Sequence, residues 1–200
     1  MESEEVPQGR RERAKEDKRR RIADAARELF AERGVGGVTT QQIADRADVA
    51  IGTLYLYAAT KAELLIMVQN RTFAAAIDDG LAASGLSAGA LDQVLALVTP
   101  VVSCLREQPE NGRTYLHELV FGDPAEPWRR EGLTLSMRLE EALRAIVVRD
   151  ARLNDDDAAP LARVITSIIH LTTTATLHLE DPLPVILGHI RRQIGVVLRP

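Results

Sequence analysis

The chain has 200 residues, of which 46% are hydrophobic, so it is long enough for one large domain or two small ones with a real core. A single cysteine, Cys104, excludes an internal disulfide and any metal site built on two cysteines, and fits a reducing compartment. The formal net charge of −4 is unevenly spread: residues 10–21, RRERAKEDKRRR, carry a net +5, and residues 62–200 a net −5.

The N-terminal charge run fits either a solvated terminus or a segment that meets an anionic partner. The opening MESEEVPQGRR has no apolar run and does not read as a signal peptide. The most apolar stretch, VITSIIHLTTTATLHL, is short and rich in threonine and histidine, so no membrane span is expected. Residues 1–17 read as a basic disordered arm.

Residues 18–33 predict a helix, because Ile22, Ala25, Ala26, Leu29 and Phe30 form one apolar stripe. GVGG at 34–37 ends it. Thr39 with Gln42 matches a capping box and starts a second helix, with Ile43, Ala44 and Ala47 turned inward. Asp48-Val49-Ala50 reads as a tight turn, followed by a short helix to about Tyr57. Thr60 is an N-cap candidate for a long helix reaching residue 83. Further helices are expected over 90–107 with a kink or boundary at Pro100, over RTYLHELVF, over 128–150, over 159–179 and over 183–198. No strand pattern competes, which predicts an all-α chain of about nine helices.

Two short helices joined by a tight turn behind a first helix are a helix-turn-helix. The stretch VTTQQIADRADVAIGTLYLYAATKAELL, residues 38–65, resembles the DNA-binding segment of the TetR family of bacterial transcriptional regulators. Thr39, Ile43-Ala44, Val49, Gly52-Thr53-Leu54-Tyr55, Tyr57, Lys61 and Leu64 stand at the mutual spacing of that family's pattern. The resemblance implies a DNA-binding domain over 18–63 and a ligand-sensing and dimerisation domain over 64–200. It implies operator DNA as partner, a homodimer, and release by a small apolar or amphipathic effector. It also implies no catalytic residue, no cofactor and a cytoplasmic protein.

In such a motif the second helix enters the major groove and its first residues meet base edges. Here those are Ala50, Ile51, Gly52 and Thr53. Ile51 replaces a frequent polar residue and suits a thymine methyl. Thr39 and Thr40 open the preceding helix, where a phosphate is favoured, and Gln41 is expected to reach a base or the DNA backbone. Tyr57 and Lys61 are implied phosphate contacts, and Tyr55 is part core, part contact. Leu54, Val49, Ile43 and Phe30 read as core. Two departures from the family pattern stand out. Ala58 replaces a phenylalanine, so Leu56 or Met67 is expected to fill its space. Asp48 takes the turn position usually held by glycine.

In the larger half, Leu161, Ile165, Ile168, Ile186, Ile190 and Ile194 are the expected dimer contacts. Val101, Cys104, Tyr115, Leu119, Trp128, Met137, His170 and Thr173 are the candidate ligand-lining residues, although the same composition describes an ordinary core. His170 and His178 share a predicted helix face, which without a further ligand reads as core or interface and not as a metal site. A regulator whose larger half serves only dimerisation is the alternative. An enzyme is a distant third, since no phosphate loop or nucleophile elbow is present.

Overall fold

The computed structural model describes residues 7–149 and 155–198. Among these residues every regular element is a helix: α1 (Pro7–Arg33), α2 (Thr40–Arg46), α3 (Ile51–Leu54), α4 (Lys61–Ser84), α5 (Ala90–Arg106), α6 (Pro109–Phe121), α7 (Pro127–Arg149), α8 (Asp155–Thr174) and α9 (Leu183–Val197). One 3-10 turn, Thr176–His178, joins α8 to α9. No helix among the described residues is long and apolar enough to cross a membrane.

The chain divides into two compact units, Met1–Val68 and Gln69–Pro200. The division falls within the residue range of α4.

In the small unit, Ile22, Ala26, Leu29 and Phe30 of α1 are buried with Ile43, Ala44 and Leu54 of α2 and α3. The expected capping box is present. Thr39 Oγ1 accepts from Gln42 N–H at 3.2 Å, and Gln42 Oε1 accepts from Thr39 N–H at 2.9 Å. Thr60 Oγ1 likewise accepts from Glu63 N–H at 2.9 Å at the start of α4.

The N-terminal segment corrects one expectation. Residues 7–17 are not a disordered arm but the first turns of α1, and residues 1–6 lie outside the described residues. Ion pairs at helical spacing support these turns: Arg19–Glu16 at 2.9 Å, Arg20–Asp17 at 2.6 Å and Arg21–Asp17 at 3.5 Å. Two boundaries also move. α6 begins at Pro109, inside the expected loop, because proline suits a first helical turn. α8 stops at Thr174, before His178.

The large unit is a bundle in which α8 packs on α7 and α9, and α5 packs on α6, α7 and α9. Two glycines set its closest approaches. A Cβ at Gly80 would overlap the Leu97 carbonyl of α5, and one at Gly112 the Leu105 carbonyl. Pro100 lies within α5, which runs through it.

Candidate nucleic-acid interface

The turn between α2 and α3 is held from both sides. Asp48 has φ +51°, the conformation that its glycine-like position demands. Val49 N–H donates to Ala44 O at 3.0 Å. Arg21 of α1 donates to Ala47 O at 3.0 Å and Asp48 O at 3.2 Å, which covers the carbonyls left open at the end of α2. In sequence Arg21 belongs to the 10–21 charge run, which fits a solvated terminus or an anionic partner, whereas its guanidinium turns inward to this turn. Its place one residue before the Ile22 stripe was the available signal.

Leu54 is fully buried and anchors α3. That anchor turns Ala50 and Gly52 to the surface, with Ile51 and Thr53 half-buried beside them. A Cβ built on Gly52 meets nothing within 4 Å. Packing inside the unit therefore does not require glycine there.

The remaining expected DNA contacts are engaged within the small unit. Gln41 Nε2 donates to Asp45 Oδ1 at 2.7 Å. Thr40 Oγ1 and Tyr55 Oη lie 3.1 Å apart, and Tyr55 is 46% exposed, so it is not core. Lys61 Nζ donates to Val38 O at 2.9 Å, which sets its charge beside the start of α2. Tyr57 Oη donates to Lys15 O at 3.1 Å, across 42 residues of sequence. Ala58 is buried, but Leu56 is 83% exposed and cannot fill the space of a missing ring; Met67 is buried.

Residues 22–68 match the family described as "Bacterial regulatory proteins, tetR family". Residues 22–68, the helix-turn-helix region, are thus a TetR-type DNA-binding segment. It is 26% identical over 155 residues to the HTH-type transcriptional repressor KstR of Rhodococcus jostii, covering 78% of this chain and 70% of that protein. It is 42% identical over 60 residues to KstR of Mycobacterium tuberculosis, 30% of this chain and 27% of that one. Both relatives are transcriptional repressors. Among solved structures, FadR of Thermus thermophilus in complex with lauroyl-CoA superposes with a TM-score of 0.69 at 19% identity, covering 90% of this chain and 93% of that chain. FadR of Bacillus subtilis in complex with stearoyl-CoA gives 0.64 at 18% identity, with 90% and 98% covered. At such identity these two share the fold.

In the large unit the expected ligand residues divide. Val101, Cys104, Tyr115, Leu119 and Thr173 are buried, Trp128 and His170 are half-buried, and Met137 is 63% exposed on the outside of α7. Met137 therefore lines no interior site. Tyr115 Oη donates to Asn70 Oδ1 at 2.9 Å, and Asn70 Nδ2 donates to Trp128 O at 2.9 Å. Burial pushes the Tyr115 hydroxyl far up, and burial followed by Glu107 raises the Cys104 thiol to about 12. Both groups are neutral at physiological pH, which makes Cys104 a poor nucleophile. Burial, with His117 nearby, lowers the His170 pKa. Thr173 Oγ1 is buried and has no hydrogen-bond partner among the described residues.

An open cleft of about 500 Å³ lies elsewhere, between the C-terminal ends of α4 and α7, lined in part by Leu81, Ala145, Ile146 and Arg149. It includes none of the expected ligand residues.

The expected dimer contacts need the plainest correction. Ile165, Ile186, Ile190 and Ile194 have no exposed surface; they are the core of the unit. The outward apolar face of α8 is instead Val164 and Leu171, 45% and 68% exposed, with Leu161 and Ile168 half-buried in line. His178 is likewise off the α8 face expected for it. It pairs with Asp181 at 2.8 Å and meets His189 edge-on. No cluster of three metal-binding side chains occurs among the described residues.

Proposed function

We propose that this chain is a transcriptional repressor that binds a palindromic operator as a homodimer and is released by a small apolar or amphipathic effector. The observation that carries the reading is the open surface at the start of α3, where Ala50 and Gly52 are exposed and Ile51 and Thr53 half-buried while Leu54 anchors the helix. A short recognition helix presented in this way reads base edges in the major groove. Ile51 reads a thymine methyl, and Thr53 hydrogen-bonds a base or phosphate. Lys61 adds a point charge for the backbone, which sets register without reading sequence.

The buried, unpartnered hydroxyl of Thr173 supports an effector site near α8. Leaving such a group unsatisfied costs about 1–3 kcal/mol, which a bound polar atom recovers. The acyl-CoA molecules held by the FadR fold neighbours support acyl thioesters as the first compounds to test. Effector binding would favour a dimer state whose two α3 helices no longer match consecutive grooves. The second reading, a regulator with no effector, is favoured by the tight packing of Val101, Tyr115 and Leu119.

The test is a footprint of the purified protein on DNA upstream of its own gene, followed by titration with lauroyl-CoA and stearoyl-CoA. A two-fold footprint with half-sites about 34–36 Å apart, lost as thioester is added, is the expected result. A footprint unchanged by any co-purified or added small molecule supports the effector-free reading. No protection of any duplex overturns both.

A further inference from the structure

We propose that the part of α1 preceding Ile22 is a rigid helical contact for the DNA backbone, and that Tyr57 is the positioning residue that aims it. The inference rests on the proposal that this chain binds duplex DNA.

The stripe of α1 that packs into the small unit runs through Ile22, Ala26 and Leu29, all buried. Followed backward at helical spacing, the same line meets Lys18, Lys15 and Arg11. All three are exposed, and none has an acidic partner among the described residues. The acids Glu16 and Asp17 lie on the other side of the helix, where they pair with Arg19, Arg20 and Arg21. Charge is thus unevenly met: on the outer face two acids pair with three arginines, whereas Arg11, Lys15 and Lys18 on the face continuing the packed stripe have no acid in contact. Like charges at i, i+4 oppose helix formation in isolation, and an anion running along the stripe reverses that effect. From Arg11 to Lys18 the stripe rises about 10 Å, close to three base-pair steps of duplex.

A flexible arm with these residues would need no anchor. This segment has one. Tyr57 follows α3 by three residues, and its hydroxyl is spent on the Lys15 carbonyl at 3.1 Å. That bond ties the cationic turn of α1 to the end of the helix-turn-helix. The extension is then pre-set against whatever duplex α3 engages. Tyr57 acts through Lys15 rather than as the direct phosphate ligand that the family resemblance implies.

The experiment measures operator affinity of the full-length protein over about 50–200 mM salt. The variant R11A/K15A/K18A is expected to lose about 0.9 of log–log salt slope per phosphate contact removed, while its order of preference among operator variants stays the same. Alanine favours the helix, and circular dichroism checks that it persists. Tyr57→Phe is expected to lower the slope in the wild-type background and to change nothing further in the triple variant. Removing the acids of the outer face, E16Q/D17N, is expected to keep the wild-type slope although it uncovers Arg19, Arg20 and Arg21, because that side of the helix is turned away from the duplex. An unchanged slope in the triple variant overturns the contact while leaving DNA binding itself intact. An equal loss from Tyr57→Phe in both backgrounds overturns the positioning role and makes Tyr57 a phosphate ligand. Wild-type protein that binds no duplex overturns this inference together with the function it rests on.

Discussion

Gly52 shows how one residue separates folding from function. In most helices a glycine is a weakness, worth roughly 0.5–1 kcal/mol against alanine. Here nothing within 4 Å would meet an added methyl, so the fold gains nothing from its absence. The cost is understandable only if something outside the chain approaches the backbone at this point. Gly52→Ala should therefore leave thermal stability unchanged or slightly raised while weakening operator binding at least tenfold. A melt and an anisotropy titration on the same sample read both effects, and tight binding by the alanine variant would show that DNA does not come close there. Gly132 is the opposite case, since a Cβ would press on Leu119 and stand 2.8 Å from Asn70 Oδ1. Its smallness serves the joint between Asn70, Tyr115 and Trp128.

At the level of the element, local chemistry decides what can be read in advance. The Thr39–Gln42 box was legible because both halves of the interaction lie within four residues. Thr39→Ala removes the side-chain acceptor for Gln42 N–H, and should destabilise the small unit by about 1 kcal/mol. Chemical denaturation of the full chain checks it; a loss well below half that size would mean that water replaces the cap without penalty. The Asp48 turn was legible for the same reason, as few residues tolerate its positive φ. The start of α1 was not. Its charges suggested a solvated arm, and the bond that fixes it comes from Tyr57, 42 residues away. The face of α8 was not legible either. Ile165 and Ile169 point inward, whereas Val164 and Leu171 point outward roughly a third of a turn away, and both sides are apolar in sequence. Periodicity finds a broad apolar arc but does not say which edge of it the chain itself covers.

That distinction governs the whole molecule. On the proposed function a second copy is needed to span two half-sites, and the large unit is proposed to supply the contact. The buried isoleucines cannot do so, because an interface is made by side chains that the monomer leaves exposed. Val164 and Leu171, with Leu161 and Ile168, form such a surface on α8, and Val185 and Val196 offer exposed apolar groups on α9. Solvent-facing apolar side chains aligned along one helix favour burial against a partner. The two classes of residue therefore predict different failures. Leu171→Glu places a charge on the outer face, so sedimentation should find a folded monomer with a near-native melt and much weaker operator binding. Ile165→Ala opens a cavity in the core, so it should lower stability by about 2–5 kcal/mol while whatever folded protein remains is still dimeric. A dimer that survives Leu171→Glu, or a monomer produced by Ile165→Ala without loss of stability, would place the interface elsewhere on the bundle.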